Sequence, residues 1–239
     1  MIYEYPLTEG MRRLLRIEML FEQAESYMAI DSTPSTLAAI RTLLDIVGLV
    51  SKNDLKIELL RILDRAILDE NYSEAERSEM EEVKRTLNHL SIRAYDSIKE
   101  NVFLNVLKQR INIPGGVCGF DLPALHHWLQ KPHAVRKEHF YRWFAVLRVI
   151  QEAIGFVLAK IRAKVKSREI TFENGFYYCS IKWPALLVRL NIEDHDLYPE
   201  FSGNRHQLSI RLMRQASPWE EGKQVEDKLT LEMSVCGRA

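Results

Sequence analysis

Cys118 and His126 are the residues whose types and spacing first suggest chemistry in this chain. A cysteine whose proton is taken by a nearby histidine is the nucleophile of many hydrolases and transferases. Such a pair also needs a third group that orients the histidine, and no acid stands in a matching motif here. A lone cysteine beside a glycine turn is more often structural. We therefore expect no catalytic residues, while a cysteine-dependent enzyme that uses this pair stays open as an alternative.

The same stretch holds several residues of metal-ligating type, namely Cys118, His126, His127, His133 and His139. Their spacing matches no zinc pattern, because adjacent histidines point to different sides of a helix and the sequence has no Cys-x-x-Cys pair. The turn Pro114-Gly115-Gly116 lacks the lysine and the hydroxyl of a phosphate-cradling loop. We expect no metal and no cofactor, and we interpret the turn as one that reverses the chain between two helices.

The composition argues against a partner that is held by the overall charge. The 33 lysines and arginines balance the 33 aspartates and glutamates, so a charge-driven partner must be held by a local patch. Three cysteines far apart in sequence give no even-numbered disulfide framework, which favours a reducing compartment. The N-terminus is not typical of a signal peptide, and we see no apolar run long enough to span a bilayer. We expect a cytoplasmic protein with no nucleic-acid partner and no membrane partner.

Up to about Ser167, apolar residues recur at helical spacing and predict an all-helical region. Thr33-Pro34 predicts the start of a second helix, with threonine as the cap and proline at the first helical position. Ser73 and Glu76 predict a capping box for a fourth helix that runs to about Ile98. The stripe of the first helix is Leu14, Ile17, Phe21, Ala24 and Met28, and that of the third is Leu55, Leu59, Ile62, Leu63 and Ala66.

A long helix is predicted after the glycine turn, from about Val135 to Lys166. Its buried seam is expected to consist of Phe140, Phe144, Leu147, Ile154 and Leu158. Basic residues crowd its C-terminal end, where Lys160, Lys164 and Arg168 share one side at helical spacing and complement the helix dipole. A solvated helix end explains these residues, and a nucleic-acid-binding module that uses this stretch stays open as a second alternative.

After Ser167, short β-rich runs alternate with turns. Asn174-Gly175 lies between two such runs and predicts a tight β-hairpin turn of a primed type. Further strands are predicted from Leu186 to Ile192, from Gln207 to Met213 and from Lys228 to Val235.

These patterns predict an α+β protein, with a large all-helical domain and a small antiparallel β domain that includes the N-terminal strand. The segment from Ile2 to Tyr5 is expected to cover an edge of the sheet. The helical domain is predicted to span 7–166 and the β domain 167–239, joined by the strand 1–6.

Alternation along the strand from Gln207 to Met213 separates a basic face from an apolar one. The apolar side consists of Leu208, Ile210 and Leu212. The polar side consists of Arg205, Gln207, Ser209 and Arg211. An ordinary solvated sheet face shows the same pattern, so these residues alone do not assign a partner.

The stretch from Ile113 to Leu129, which reads IPGGVCGFDLPALHHWL, resembles the central motif of the ZapD family of bacterial cell-division proteins. The likeness covers nearly the whole chain in the family's order and is weakest from about Tyr72 to Lys99. The other similar segments are Tyr5-Pro6-Leu7, Met11-Arg12-Arg13, Leu15-Arg16-Ile17-Glu18, Leu59 to Arg65, Gln109-Arg110-Ile111, Asn174-Gly175-Phe176-Tyr177, Leu197-Tyr198-Pro199, Ser202-Gly203 and Ile210-Arg211-Leu212-Met213.

The resemblance implies a non-enzymatic homodimer that acts in the cytoplasm at the mid-cell division site. It implies binding to the C-terminal tail of the tubulin-like protein FtsZ. A dimer with one tail site per subunit would cross-link and bundle FtsZ filaments and so stabilise the Z ring. In this family, basic residues where the two domains meet receive the tail, which is acidic and partly apolar.

Carried over by position, the resemblance places the tail site on five residues. Arg211 lies in the matching Ile-Arg-Leu-Met motif. Lys52 and Lys56 stand where the family favours arginine, and lysine keeps the charge but not the planar fork that holds a carboxylate. Gln207 stands where a basic residue is expected, and Arg205 lies two residues away.

Two further residues, Arg16 and His126, match family positions that are tied to FtsZ bundling. For each of them a buried structural role is the alternative.

Overall fold

The structure, a computed structural model, describes residues 1–51, 54–181 and 185–237, and for Ile92 only the backbone. The chain divides into two compact units. The β unit consists of Met1–Leu15 and Val157–Ala239, and the helical unit consists of Arg16–Phe156. Long helices and antiparallel sheets confirm the predicted α+β class. The predicted domain limits, 7–166 and 167–239 with 1–6, stay a prediction.

Buried apolar stripes define the helices, as the sequence predicts. All residues of the stripe predicted for the first helix are at most 2 % exposed, and so are those of the seam from Phe140 to Leu158. Ala66 in the third stripe is only half-buried. The helices are α1 (Glu9–Ala29), α2 (Thr33–Val50), α3 (Asp54–Leu68), α4 (Glu74–His89), α5 (Asp96–Lys99), α6 (Val102–Arg110), α7 (Pro123–Leu129), α8 (His133–Phe144) and α9 (Arg148–Ala163), with 3₁₀ turns at Ile92–Tyr95 and Ala145–Leu147.

Local capping agrees with the sequence at α4 and differs at α2. The hydroxyl of Ser73 accepts the N–H of Glu76 at 3.3 Å, and the Glu76 carboxylate accepts the N–H of Ser73 at 2.9 Å, which confirms the capping box. At α2 the predicted cap is wrong. Ser32 is the cap, because its hydroxyl accepts the N–H of Ser35 at 3.1 Å and Thr33 is already the first helical residue.

The predicted extension of α4 to Ile98 is wrong, since the helix ends at His89. The backbone of Leu90 is extended, with φ −67° and ψ 110°. The hydroxyl of Ser91 then accepts the N–H of Arg93 at 3.2 Å and begins a 3₁₀ turn. A serine that bonds nearby backbone groups in this way competes with the helical hydrogen-bond pattern.

The single long helix predicted from Val135 to Lys166 is also wrong, because a 3₁₀ turn separates α8 from α9. Phe144, Leu147 and Ile150 around this turn are all at most 2 % exposed. A spacing of three residues aligns side chains on one face of a 3₁₀ helix, so the tighter turn keeps all three in the core. Helix α9 ends at Ala163, before the predicted limit at Lys166, because the residues from Val165 onward form a strand.

Two antiparallel sheets form the β unit, and the first strand occupies an edge of one of them, as predicted. The first sheet has the order β1-β4-β8-β2, with strands Ile2–Pro6, Leu187–Asn191, Leu229–Cys236 and Val165–Phe172. The second sheet has the order β3-β6-β5, with strands Phe176–Ser180, Gln207–Arg214 and Leu197–Gly203, and β7 (Lys223–Gln224) also pairs with β6. One core contains residues of both sheets, among them Phe172, Val188, Leu190, Leu208, Ile210, Leu212 and Met233.

The two sheets are joined directly at β1 and β5. The rings of Tyr5 and Phe201 stack with their centroids 5.0 Å apart. The Tyr5 hydroxyl donates to the carbonyl of Gly203 at 3.2 Å, and the Tyr3 hydroxyl donates to that of Leu197 at 3.3 Å. This side of the β unit is therefore closed by contacts between its edge strands.

The predicted hairpin turn is confirmed. Asn174 and Gly175 have φ values of 50° and 67°, and Glu173 and Phe176 exchange two backbone hydrogen bonds of 3.1 and 3.0 Å. Both central residues of a type I′ turn need positive φ, which asparagine and glycine tolerate best. Gly175 is also required by space, since a Cβ there would overlap the backbone of Val225.

The strand β5 was not predicted as a strand. It contains Pro199, which has no backbone N–H to donate to a neighbouring strand. This proline is tolerated because β5 lies at an edge of its sheet.

One helix corrects the expectation about apolar runs. Helix α2 has the length and the composition to cross a bilayer, with a mean hydropathy of 1.3 over 18 residues. Half of that window is buried inside the protein, as in the core helix of a globular unit. Its buried residues are Thr36, Ala39, Ile40, Thr42, Leu43, Leu44, Ile46, Val47 and Val50.

Candidate functional site

The outer face of the β3-β6-β5 sheet carries the polar side of β6, and the predicted alternation is confirmed. Leu208, Ile210 and Leu212 are fully buried, whereas Gln207 and Arg211 are exposed. The sequence pattern determines this outcome because successive side chains of a strand point to opposite faces.

Arg211 lies at the centre of this outer face. Its neighbours in register are Phe176 on β3 and Glu200 on β5. Phe176 and, on the same face of β3, Tyr178 are 42 % and 56 % exposed. A guanidinium beside exposed aromatic rings suits a peptide that carries both a carboxylate and an apolar side chain.

Arg205 stands at the tip of the tight turn between β5 and β6. The side-chain oxygen of Asn204 accepts the N–H groups of His206 and Gln207 at 2.8 and 3.3 Å. This Asx-type turn leaves Arg205 exposed and gives its loop a defined shape. Arg205, Gln207 and Arg211 are therefore all on the surface of the β unit.

Lys56 is placed differently from the other predicted tail residues. Its ammonium donates to the carbonyls of Asn88 and Leu90 at 3.1 and 2.9 Å. These carbonyls belong to the last turn of α4 and to the residue that caps it, where a cation is stabilising. Lys56 thus has a structural role in the helical unit that the sequence did not reveal, and Lys52 lies outside the described residues.

Arg16 and His126 are both exposed, so neither has the buried structural role that was the alternative. His126 follows the loop after the glycine turn, where a Cβ built on Gly119 would lie 3.2 Å from its Nδ1 atom. The close approach of the ring explains why glycine stands at this point of the loop.

The basic stretch near the end of α9 does not form one helical face, which corrects the prediction. The helix ends at Ala163, and Lys166 and Arg168 belong to β2. Arg162 makes two hydrogen bonds of 2.9 and 2.8 Å to the carboxylate of Glu4, to which Arg189 also lies within 3.1 Å. This cluster ties β1 and β4 to the end of the helix.

Two of the metal candidates, His133 and His139, make contacts within the helical unit. His139 accepts the indole N–H of Trp128 at 3.0 Å, and a ring nitrogen of His133 lies 3.0 Å from the carbonyl of Met28. Across the part of the chain that the structure describes, no three histidine, cysteine or acidic residues are grouped as metal ligands.

The backbone of Cys118 shapes its loop. Its N–H donates to Gly115 at 3.0 Å, and its carbonyl accepts the N–H groups of Asp121 and Leu122 at 3.0 and 2.9 Å. Its side chain is half-buried. Burial raises the pKa of the Cys236 thiol to about 11. Cys236 is therefore a neutral thiol at physiological pH.

We expect the variant Cys118→Ala to keep its function. The substitution retains the backbone hydrogen bonds of the loop and leaves a small cavity, which lowers stability modestly. The FtsZ binding that the resemblance implies should stay near the wild-type level once folding is checked by thermal denaturation. Complete loss of activity in a well-folded variant would support the cysteine-dependent enzyme instead.

Sequence reasoning missed a cavity between β2 and β3 and assigned two of its lining residues, Lys166 and Arg168, to a helix. A signal was present, because Lys166, Arg168, Ile170 and Phe172 stand at every second position, which is the spacing of one face of a strand.

The geometry defines the class of the protein: a two-unit α+β protein whose β unit presents a sheet face with exposed arginine and aromatic side chains. A family model described as "ZapD: Cell division protein" matches residues 15–211. The chain therefore belongs to the ZapD family of cell-division proteins.

Individual relatives agree with this assignment along the whole length. The chain is 31 % identical over 246 residues to the "Cell division protein ZapD" of Yersinia pestis (strain Pestoides F), covering 98 % of this chain and 97 % of the relative. It is 32 % identical over 248 residues to the protein of that name from Pectobacterium atrosepticum, with the same coverage.

Proposed function

We propose that this protein binds the C-terminal tail of FtsZ and, as a homodimer, cross-links and bundles FtsZ filaments to stabilise the Z ring. It would act in the cytoplasm at mid-cell, without enzymatic activity. Membership of a cell-division family supports a role at the division site. The observation that carries the proposal is the exposed Arg211 between the outward aromatic side chains of β3 and the polar residues of β5.

The tail site is proposed to include Arg211, Arg205 and Gln207 on the β unit, and Lys52 and Lys56 on the helical unit. The tail carboxylates would form charge-assisted hydrogen bonds with the cations, which are stronger than neutral ones. At Lys56 a carboxylate would compete with the two carbonyls of α4. We therefore expect Lys56 to contribute less than Arg211.

Deletion of the FtsZ tail tests the partner directly. Immobilised protein should retain full-length FtsZ and should lose nearly all of it when the FtsZ lacks its tail. The FtsZ core domain, applied to the immobilised protein at the same concentration, measures how much retention is due to contacts outside the tail. Equal retention of both forms would contradict the proposal that the tail is the ligand.

Bundling is expected to need the homodimer, since a monomer with one site can only decorate a filament. A dimer holds two tails at once, and the filament presents further tails at high effective concentration. Sedimentation at micromolar protein should give twice the subunit mass, and light scattering should show bundles of FtsZ at the same concentration. A monomer that still bundles filaments would contradict this mechanism.

Arg16 and His126 are proposed to contribute to bundling rather than to tail binding. Both side chains are exposed, so substitution by alanine should lower light scattering of FtsZ mixtures and leave retention of FtsZ unchanged.

A further inference from the structure

Trp219 is the most exposed large apolar side chain among the described residues, with a relative exposure of 93 %. It lies in the loop 215–222, which connects β6 to β7 and which we call the Trp219 loop. A single exposed apolar residue is ordinary on a protein surface. Tryptophan, however, is among the residues that most often carry the binding energy of a protein interface. The structure of the loop therefore decides whether the side chain is presented as an anchor.

Hydrogen bonds give the Trp219 loop a defined shape. The side chain of Gln215 donates to the carbonyl of Glu220 at 2.6 Å, and the N–H of Glu220 donates to the carbonyl of Ser217 at 3.2 Å. The loop also packs closely on β5, since a Cβ built on Gly222 would lie 2.2 Å from the hydroxyl oxygen of Tyr198. An ordered loop thus holds the indole outward at a fixed place.

The charges beside Trp219 restrict its partner. Glu220 and Glu221 follow it directly, and both are exposed. Two carboxylates disfavour docking on an anionic membrane, which would otherwise suit an exposed tryptophan. The partner that fits an indole followed by two carboxylates is an apolar cavity with cations at its rim.

The β unit itself contains a cavity of this kind, with a volume of about 260 Å³. It opens where β2 and β3 separate, because β2 pairs with β8 whereas β3 pairs with β6. An apolar cavity of about 150 Å³ is known to hold a benzene ring, so this one has room for an indole. Its apolar lining consists of Val188, Leu208, Met233 and Val235.

The rim of this β2–β3 cavity is basic. Lys166 and Arg168 line it, and the described lining residues include no carboxylate. The guanidinium of Arg168 donates to the hydroxyl of Tyr177 at 2.9 Å. Burial is the largest cause that raises the pKa of Tyr177 to about 12. The phenol is therefore neutral at physiological pH and orients the guanidinium without cancelling its charge.

The loop and the cavity stand at opposite ends of the same strand. The cavity lies where Gln207 of β6 pairs with Ser180, and the loop begins where Arg214 pairs with Lys223. The strand has 8 residues, so its ends are roughly 23 Å apart at about 3.3 Å per residue. The loop is held by bonds at its own end of the strand and does not reach the cavity of the same chain. Only a second copy can bring the two together.

We infer that the Trp219 loop of one copy docks in the β2–β3 cavity of a second copy. The indole of Trp219 enters the apolar part of the cavity, and the carboxylates of Glu220 and Glu221 lie at Lys166 and Arg168. Charge-assisted hydrogen bonds at the rim fix the orientation. An interface of this size is small, so the contact is weak in dilute solution and forms as the protein concentration rises.

This contact is head-to-tail, because it joins two different surfaces of the same chain. Each added copy leaves one loop and one cavity open, so the assembly can continue, whereas a symmetric dimer closes on itself. The inference goes beyond the proposed function and does not depend on it. In combination with the proposed homodimer, the contact would link dimers into longer assemblies and so increase the number of FtsZ-binding sites in one particle.

Sedimentation velocity of the full-length protein, from micromolar to submillimolar concentration, tests the contact. The weight-average mass should rise above that of the species present at low concentration. Trp219→Ala should raise the concentration needed for this growth at least tenfold. The matched control is Phe120→Ala, which removes an aromatic side chain that is 83 % exposed in the helical unit and should change that concentration less than twofold.

Three results would overturn the inference. The first is a wild-type mass that does not grow with concentration, and the second is an equal effect of the two alanine variants. The third is loss of the low-concentration dimer in Trp219→Ala, because the loop would then belong to a closed symmetric interface. Since no FtsZ is present, failure of FtsZ binding elsewhere does not bear on these outcomes.

Mixing two variants tests whether the loop and the cavity are each other's partners. Arg168→Glu keeps the loop and makes the rim repulsive, whereas Trp219→Ala keeps the cavity and removes the anchor. Each variant alone should need at least tenfold more protein to associate. An equimolar mixture should associate near the wild-type concentration, because the loop of the first fits the cavity of the second. A mixture that stays dissociated would show that the two surfaces do not meet.

Alkylation of Cys179 reports on the cavity directly. This residue lines the β3 wall and is half-buried. In the Cys118→Ala protein, its reaction with excess maleimide should slow at least threefold as the protein concentration rises into the range of association. Added Trp219→Ala should abolish that dependence. A rate that stays constant while the mass grows would place the contact outside the cavity.

Discussion

Replacement of Arg136 by methionine should lower the free energy of unfolding by about 3 kcal/mol, because several hydrogen bonds from a buried charged donor are lost together and each contributes about 1.5–3 kcal/mol. Arg136 is 5 % exposed. It donates to the carbonyl of Lys131 at 3.0 Å and to the carboxylate of Asp31 at 2.9 Å, and it also donates to the hydroxyl of Thr36. The network ties the start of α8 to the segment between α1 and α2.

The expected loss comes mainly from acceptors left without a donor. Methionine fills much of the arginine volume, so the cavity term is small. Thr36 is fully buried; its hydroxyl keeps its donation to the carbonyl of Ser32 at 2.9 Å but loses a charged donor, and a hydrogen bond to a charged group contributes about 1.5–3 kcal/mol. Asp31, whose side chain is 69 % exposed, can return to water and adds less.

Urea denaturation followed by circular dichroism measures this effect. Arg142→Met is the matched control, since Arg142 makes an exposed ion pair of 2.8 Å with Glu138 and should cost less than about 1 kcal/mol. A loss at Arg136 no larger than the control would show that the network does not hold these segments together.

Arg211→Glu is expected to weaken binding of the FtsZ tail at least tenfold, equivalent to about 1.4 kcal/mol. The substitution would remove the charge-assisted hydrogen bond that is proposed between Arg211 and the acidic tail. It also places a second carboxylate in register with Glu200, so attraction on this face becomes repulsion. The affinity of the wild-type protein for the tail should also fall as the salt concentration rises, because exposed charges are screened over about 10 Å at 0.1 M salt.

Arg142→Glu serves as the control, because it makes the same change of net charge as Arg211→Glu but at an exposed residue of the helical unit. Arg168→Glu cannot fill that role, since Arg168 lies at the cavity between β2 and β3 rather than at a helix end. If Arg211→Glu folds normally and binds the tail with wild-type affinity, Arg211 is a solvated strand residue and the tail lies elsewhere.

Features that depend on neighbours in sequence were predictable. Asn174 and Gly175 determine the hairpin turn because positive φ is a property of these residues themselves. The burial of Leu208, Ile210 and Leu212 follows from the alternation of a strand. The polar, basic side of β6 could be predicted in the same way, whereas the aromatic side chains that β3 adds to this face were not predicted.

Features that depend on distant partners were not predictable from local pattern. The chain from Val165 to Phe172 could continue a helix by composition, yet it pairs with Leu229–Cys236, and backbone pairing over such a separation overrides local propensity. The role of Lys56 depends on the carbonyl groups of α4, more than 30 residues away. The role of Lys56 has no local signal, and the strand spacing from Lys166 to Phe172 does not by itself reveal the pairing partner.

The sequence by itself determined the α+β class, the hairpin turn and the two faces of β6, because periodicity and residue type act over a few residues. The family followed from the resemblance of motifs along nearly the whole chain. Only the tertiary structure decided that the hairpin opens between two sheets, and therefore that Lys166 and Arg168 line a cavity rather than a helix end. The reason is physical: strand partners are chosen by burial and hydrogen bonding across the whole β unit. A site made by the separation of two strands exists only once those partners are in place.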